Sequence, residues 1–190
     1  MSGIPGARAV HHVAYTVPDL EQAVRFFVDV VGAELAYELG PISDPGGDWM
    51  SRKLGVAPEA VGQIAMLRLG STLNLELFEY TAPEQSQSLP RNSDWGGHHL
   101  ALHVDDVDKA VEYLRTVPGV QVFGDPETIE DGPIAGDRWV YFTTPWGMQL
   151  ELINMPAGLP FERQTEVRLF RPESDFGGMR WNTGSSHSSA

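Results

Sequence analysis

The chain has 190 residues and no cysteine, with 42% hydrophobic and 21% charged residues and a formal charge of −13. This is a globular composition without disulfide or thiolate chemistry, and its acidity opposes a general affinity for nucleic acid or anionic lipid. No apolar run reaches the roughly 18 residues that span a bilayer, and "MSGIPGARAV" lacks the apolar core of a leader peptide, so a cytoplasmic protein with no membrane partner is expected.

The first readable element is "HVAYTV" (12–17), whose alternation predicts a strand. Asp19 then suits a helix N-cap, with Gln22 in capping-box position. Leu20, Ala23, Val24, Phe27 and Val31 recur at helical spacing as far as Gly32. A Gly- and Pro-rich stretch, "GPISDPGGDWMSRKLGVAPEA" (40–60), precedes two strands, "IAMLRLG" (64–70) and "TLNLELFEY" (72–80). The pattern restarts at "HLALHV" (99–104). A helical stripe of Val107, Ala110, Val111 and Leu114 follows, stopped by "PGV" (118–120). "RWVYFTT" (138–144) and "MQLELIN" (148–154) close the second half across a "TPWG" turn.

The chain is thus an internal repeat, each half reading strand, helix and about three strands. "HVAYTVPDLEQAVRFF" falls on "HLALHVDDVDKAVEYL", matching His12 with His99, and "LNLELFEY" falls on "MQLELINM", matching Glu76 with Glu151. The first half carries about a dozen extra residues between its His and its Glu. They belong to 40–60, which is expected to cover the mouth of a cleft, because long loops in compact domains are usually lids, binding loops or disordered. The expected layout is a first module at 9–80, a second at 96–155 and a C-terminal extension at 156–190 with a loose end.

Side chains alternate across a strand, so the matched polar residues can be placed on faces. His12, Ala14 and Thr16 share one face, and His99, Ala101 and His103 share its counterpart. Glu76 lies between Leu75 and Leu77, and Glu151 between Leu150 and Leu152. A carboxylate so placed must face water, a counter-charge or a metal. Two His and two Glu form a mixed nitrogen and oxygen set suited to one divalent ion such as Zn, Fe, Mn, Ni or Co. His12, Glu76, His99 and Glu151 are therefore the expected metal ligands, with Glu76 or Glu151 also the expected catalytic base. Glu38 or Asp48 would serve as base if their loop folded over the cleft. His103, Asn74, Phe78 and Gln149, on the same faces, are expected to touch substrate. His11 and His98 are read as outer supports or strand surface, and Asp105, Asp106 and Asp108 as capping and solvated residues.

The motifs "HHVAYTVPDLEQAVRFF", "NLELFEY", "GGHHLALHVDDVDKAV" and "TPWGMQLELI" together resemble the vicinal oxygen chelate superfamily. It includes glyoxalase, methylmalonyl-CoA epimerase, bleomycin- and fosfomycin-resistance proteins and extradiol dioxygenases. The resemblance covers about residues 9 to 155. It implies an α+β fold of two tandem βαβββ modules whose sheets curl around a metal cleft, with the same four ligands. The second-half motifs look like a metal-dependent isomerase or epimerase branch that includes valiolone-type cyclitol epimerases. The implied activity is isomerase, epimerase or lyase chemistry by proton transfer beside a carbonyl of a small oxygenated substrate, in a homodimer. The alternatives are an Fe(II)-dependent extradiol-type dioxygenase, with Phe78, Trp139, Tyr141 and Trp146 lining an aromatic pocket, and an antibiotic-binding resistance protein.

Overall fold

A computed structural model describes residues 4–170. Within them the chain divides into two compact units, 4–87 and 88–170. Each is a mixed α+β module, as the repeat predicts.

The first unit runs β1 (His12–Thr16), α1 (Leu20–Arg25), β2 (Glu34–Ile42), β3 (Val61–Leu69) and β4 (Leu73–Thr81). Its sheet order is β1-β4-β3-β2, with β1 parallel to β4 and the other neighbours antiparallel. Asp19 caps α1 by accepting the Gln22 backbone NH at 2.8 Å. The helical stripe does not continue as one α-helix. Phe26–Val31 form a π-helical turn that ends at Gly32, whose φ of 86° is a left-handed conformation that a side chain would resist. The wider turn buries Phe26 and Phe27 together, their rings edge to face at 5.5 Å. α1 packs against β3 and β4, where Leu67, Leu75 and Leu77 are fully buried.

The second unit runs β5 (Leu100–His103), α2 (Val107–Leu114), β6 (Gln121–Val122), β7 (Glu127–Thr128), β8 (Arg138–Thr143) and β9 (Gln149–Asn154). Its order is β5-β9-β8-β6, with β7 also pairing β8. β5 lies parallel to β9, repeating the β1–β4 arrangement. Asp106 caps α2 through the Lys109 backbone NH at 3.1 Å.

The segment 40–60 is more ordered than a loop reading implies. Its start belongs to β2, and Met50–Leu54 form a second π-helical turn anchored by the fully buried Met50. Beyond β9, a 3₁₀ turn at Pro160–Arg163 ties back through the Phe161 NH to the Pro133 carbonyl at 2.9 Å. The remainder of the expected extension, 171–190, lies outside the described residues.

Candidate functional site

In the first unit, β1 pairs with β4 so that His12 faces Asn74 and Ala14 faces Glu76. His12 and Glu76 therefore occupy one sheet face, one pleat apart. The buried Leu75 and Leu77 hold the opposite face and fix the direction of Glu76. His12 Nε2 stands 3.3 Å from Glu76 Oε2. On the other side of the ring, His12 Nδ1 lies 2.8 Å from His11 Nδ1, so one imidazole donates and the other accepts. The Asn74 amide donates to the His11 carbonyl at 2.9 Å, which ties the start of β1 to β4. Phe78, two residues beyond Glu76, stacks on Tyr80 at 5.2 Å. Tyr80 in turn lies over Gly62, where an added Cβ would stand 2.8 Å from the ring.

The second unit repeats the construction. His99 immediately precedes β5, and Ala101 faces Glu151 across β5 and β9. Leu150 and Leu152 are buried on the far face. His99 Nε2 lies 3.0 Å from Glu151 Oε2, and His99 Nδ1 lies 3.4 Å from Asn92 Oδ1. Tyr141 faces Glu151 across β8 and β9. Its ring meets His99 edge-on at 5.0 Å and Trp139 at 5.2 Å. In both units an outer group engages Nδ1 and leaves Nε2 for the carboxylate, the arrangement that orients a metal-binding imidazole.

Glu151 is only 8% exposed. Burial lifts its carboxyl above the ordinary value, His99 draws it back, and the charge of Asp137 adds to the rise. Burial also raises the Tyr141 phenol, reinforced by Glu151, and the Tyr80 phenol, reinforced by Glu76. Both phenols are therefore protonated donors at neutral pH.

The four expected ligands stand as two His–Glu pairs, one within each unit. Among the described residues, no group of three or more His, Asp or Glu side chains stands close enough to hold an ion. Each pair nevertheless fits part of a metal's coordination shell. Donors about 2.1 Å from one ion and at right angles to each other stand about 3 Å apart, close to both observed separations. His103 ends β5 opposite Ile153, on the Glu151 face, and Gln149 opens β9 opposite Thr143. His98 contacts the Gly96 carbonyl at 2.8 Å through Nδ1. Asp108 receives a two-pronged ion pair from Arg138, at 3.0 and 2.7 Å. Asn92 and Asp137 were not found by sequence reasoning. Asn92 lies outside both repeat motifs, whereas Asp137 carried a usable signal, because it shares strand parity with Trp139 and Tyr141.

The family model described as "Glyoxalase/Bleomycin resistance protein/Dioxygenase superfamily" matches residues 11–142. A 2-epi-5-epi-valiolone epimerase from Actinomyces sp is 72% identical over 178 residues, covering 94% of this chain and 96% of that one. The mitochondrial methylmalonyl-CoA epimerase of Mus musculus is 31% identical over 108 residues, 56% of this chain and 51% of that protein. A crystal structure of a glyoxalase family protein from Bacillus cereus shares the fold, with a TM-score of 0.60 at 20% identity over 80% of this chain and 98% of that one. The expectation of an epimerase-type enzyme agrees with these relatives. The chain belongs to the glyoxalase/bleomycin resistance protein/dioxygenase superfamily, the vicinal oxygen chelate proteins.

Proposed function

We propose that the chain is a divalent-metal-dependent epimerase of a cyclic polyhydroxylated ketone, 2-epi-5-epi-valiolone or a close analogue. The observation that carries this reading is the 72% identity to an epimerase of that substrate over nearly the full length of both chains. The His–Glu pair in each unit supplies the matching chemistry. In this reading His12, Glu76, His99 and Glu151 serve one ion.

That ion, when bound, supplies a Lewis acid for the substrate carbonyl oxygen, which acidifies the neighbouring C–H. The chain's own residues do the rest. A carboxylate of one pair accepts the proton from the carbon beside the carbonyl, a role usually worth about 10² to 10⁴ in rate. In this reading the outer contacts of His11 and Asn92 hold the imidazoles, and the phenols of Tyr80 and Tyr141 donate to substrate oxygens. A homodimer is part of the same proposal.

The test is incubation of the untagged, metal-loaded protein with 2-epi-5-epi-valiolone in D₂O, followed by NMR. The expected result is deuterium at the carbon beside the carbonyl together with the epimeric product, both lost on chelation and restored by a divalent ion. Absence of both exchange and product at full metal loading would overturn the reading.

A further inference from the structure

Beyond the two His–Glu pairs, the second unit holds a polar group that the site as described leaves unused. Asp137 is 3% exposed, and its Oδ1 is buried without a hydrogen-bond partner among the described residues. Leaving such an oxygen unpaired is costly, so its retention calls for a reason.

Its placement supplies one. The Ile129 NH donates to the Asp137 carbonyl at 2.9 Å, extending the β7–β8 ladder by one pair. Asp137 therefore keeps strand alternation and shares a face with Trp139 and Tyr141. Across the sheet, Tyr141 faces Glu151 and Trp139 faces Ile153. His103 faces Ile153 from the other side. His103 and Asp137 thus lie on the Glu151 face, two pleats beyond His99 along β5 and beyond Tyr141 along β8, respectively. Burial raises the Asp137 carboxyl, while the Arg138 backbone NH and, more weakly, the charge of His103 lower it. The His103 side chain makes no hydrogen bond to another described residue. The matched positions of the first unit carry Thr16 and Gly62. The module fold therefore does not require this pair.

We propose that His103, sharing its sheet face with the Asp137 carboxylate, returns the proton to the substrate carbon during epimerisation. This inference rests on the epimerase reading above. Inversion removes a proton from one face of a carbon and delivers another to the opposite face, which two groups accomplish more directly than one. A carboxylate of the His–Glu pairs takes the α-proton and becomes a carboxylic acid, and the C–H electron pair enters the enolate double bond. The His103 imidazolium donates its proton to that carbon from the other face, the enolate pair forms the new C–H bond, and the ring is left neutral. Solvent then removes the proton from the carboxylic acid and restores the one on the imidazole. His103 is a catalytic residue in this scheme and Asp137 a positioning residue.

The test follows exchange and inversion separately in D₂O, starting from each epimer of 2-epi-5-epi-valiolone, with metal loading and melting temperature matched to wild type. His103→Gln is expected to keep deuterium wash-in to the starting epimer whose proton the carboxylate removes, within about threefold of wild type. Its epimerisation should fall by roughly 10² or more, and wash-in to the opposite epimer should fall with it. Asp137→Asn should lower kcat by about tenfold with KM within twofold, and Asp137→Glu should recover part of that loss. If His103→Gln loses exchange from both epimers equally, or loses neither exchange nor inversion, the proposal is overturned while the epimerase reading stands. If wild type inverts neither epimer, the epimerase reading fails and takes this inference with it.

Discussion

Replacing Glu151 with Gln is expected to stabilise the metal-free protein at pH 8 while removing its ability to hold an ion. Glu151 lies between the buried Leu150 and Leu152, and two effects compete over its charge. Burial disfavours the carboxylate and His99, at 3.0 Å, favours it; burial wins, so the carboxyl titrates above its ordinary value. A group raised in this way contributes stability below its unfolded-state pKa and loses it as pH climbs through the folded value. At pH 8 the ionised Glu151 is therefore a net cost to the empty protein, and Gln of the same shape relieves it. Discounted for solvent reaching the carboxylate's edge, the relief is on the order of 1 kcal/mol, or about 2–4 °C in Tm for a chain of this length. Calorimetry on chelated protein at pH 8 and pH 4 measures it. The Gln variant should melt higher at pH 8, and the gap should close at pH 4, where Glu151 is protonated. Saturating divalent ion should reverse the order, because only wild type binds it tightly. A Gln variant that melts lower than wild type at pH 8 without metal would show that the His99 contact outweighs burial, and the reasoning would fail.

Glu76→Gln should retain some bound metal but cut deuterium exchange by roughly 10² or more, the scale of a general-base effect; an unchanged exchange rate by NMR would make Glu76 a bystander. Leu77→Ala empties a fully buried position behind Glu76 and should cost about 2–5 kcal/mol, seen as a Tm loss on the order of 5–15 °C. Replacing residues 44–47 with a shorter turn, which spares the buried Met50, should lower turnover more than Tm if 40–60 covers the site; equal turnover would count against a lid.

The His–Glu pairs were legible because strand alternation is strict. A carboxylate between two leucines on a strand has one free direction, and its recurrence at a matched position marked it as part of a site. The same alternation located β1, β4, β8 and β9 closely. β2 was harder to read. It is an edge strand exposed along most of its length, its pairing with β3 shifts register twice, and its Gly40-Pro41 step carries the signature of a loop. The π-helical turn at Phe26–Val31 follows a stripe that also fits an α-helix, so periodicity could not distinguish them. Asn92 reaches His99 from a segment outside the repeat. Asp137 precedes the apolar run that defines β8, and only the backbone pairing with Ile129 shows that strand geometry extends to it.

The most direct test of the proposed shared metal site is metal content per chain, measured by mass spectrometry on untagged protein, for wild type, His12→Ala and His99→Ala. One divalent ion per chain is expected in wild type, with near-complete loss in each variant, because in the proposed reading His12 and His99 hold the same ion. Two ions per wild-type chain, or one ion kept in full after either histidine is removed, would contradict it.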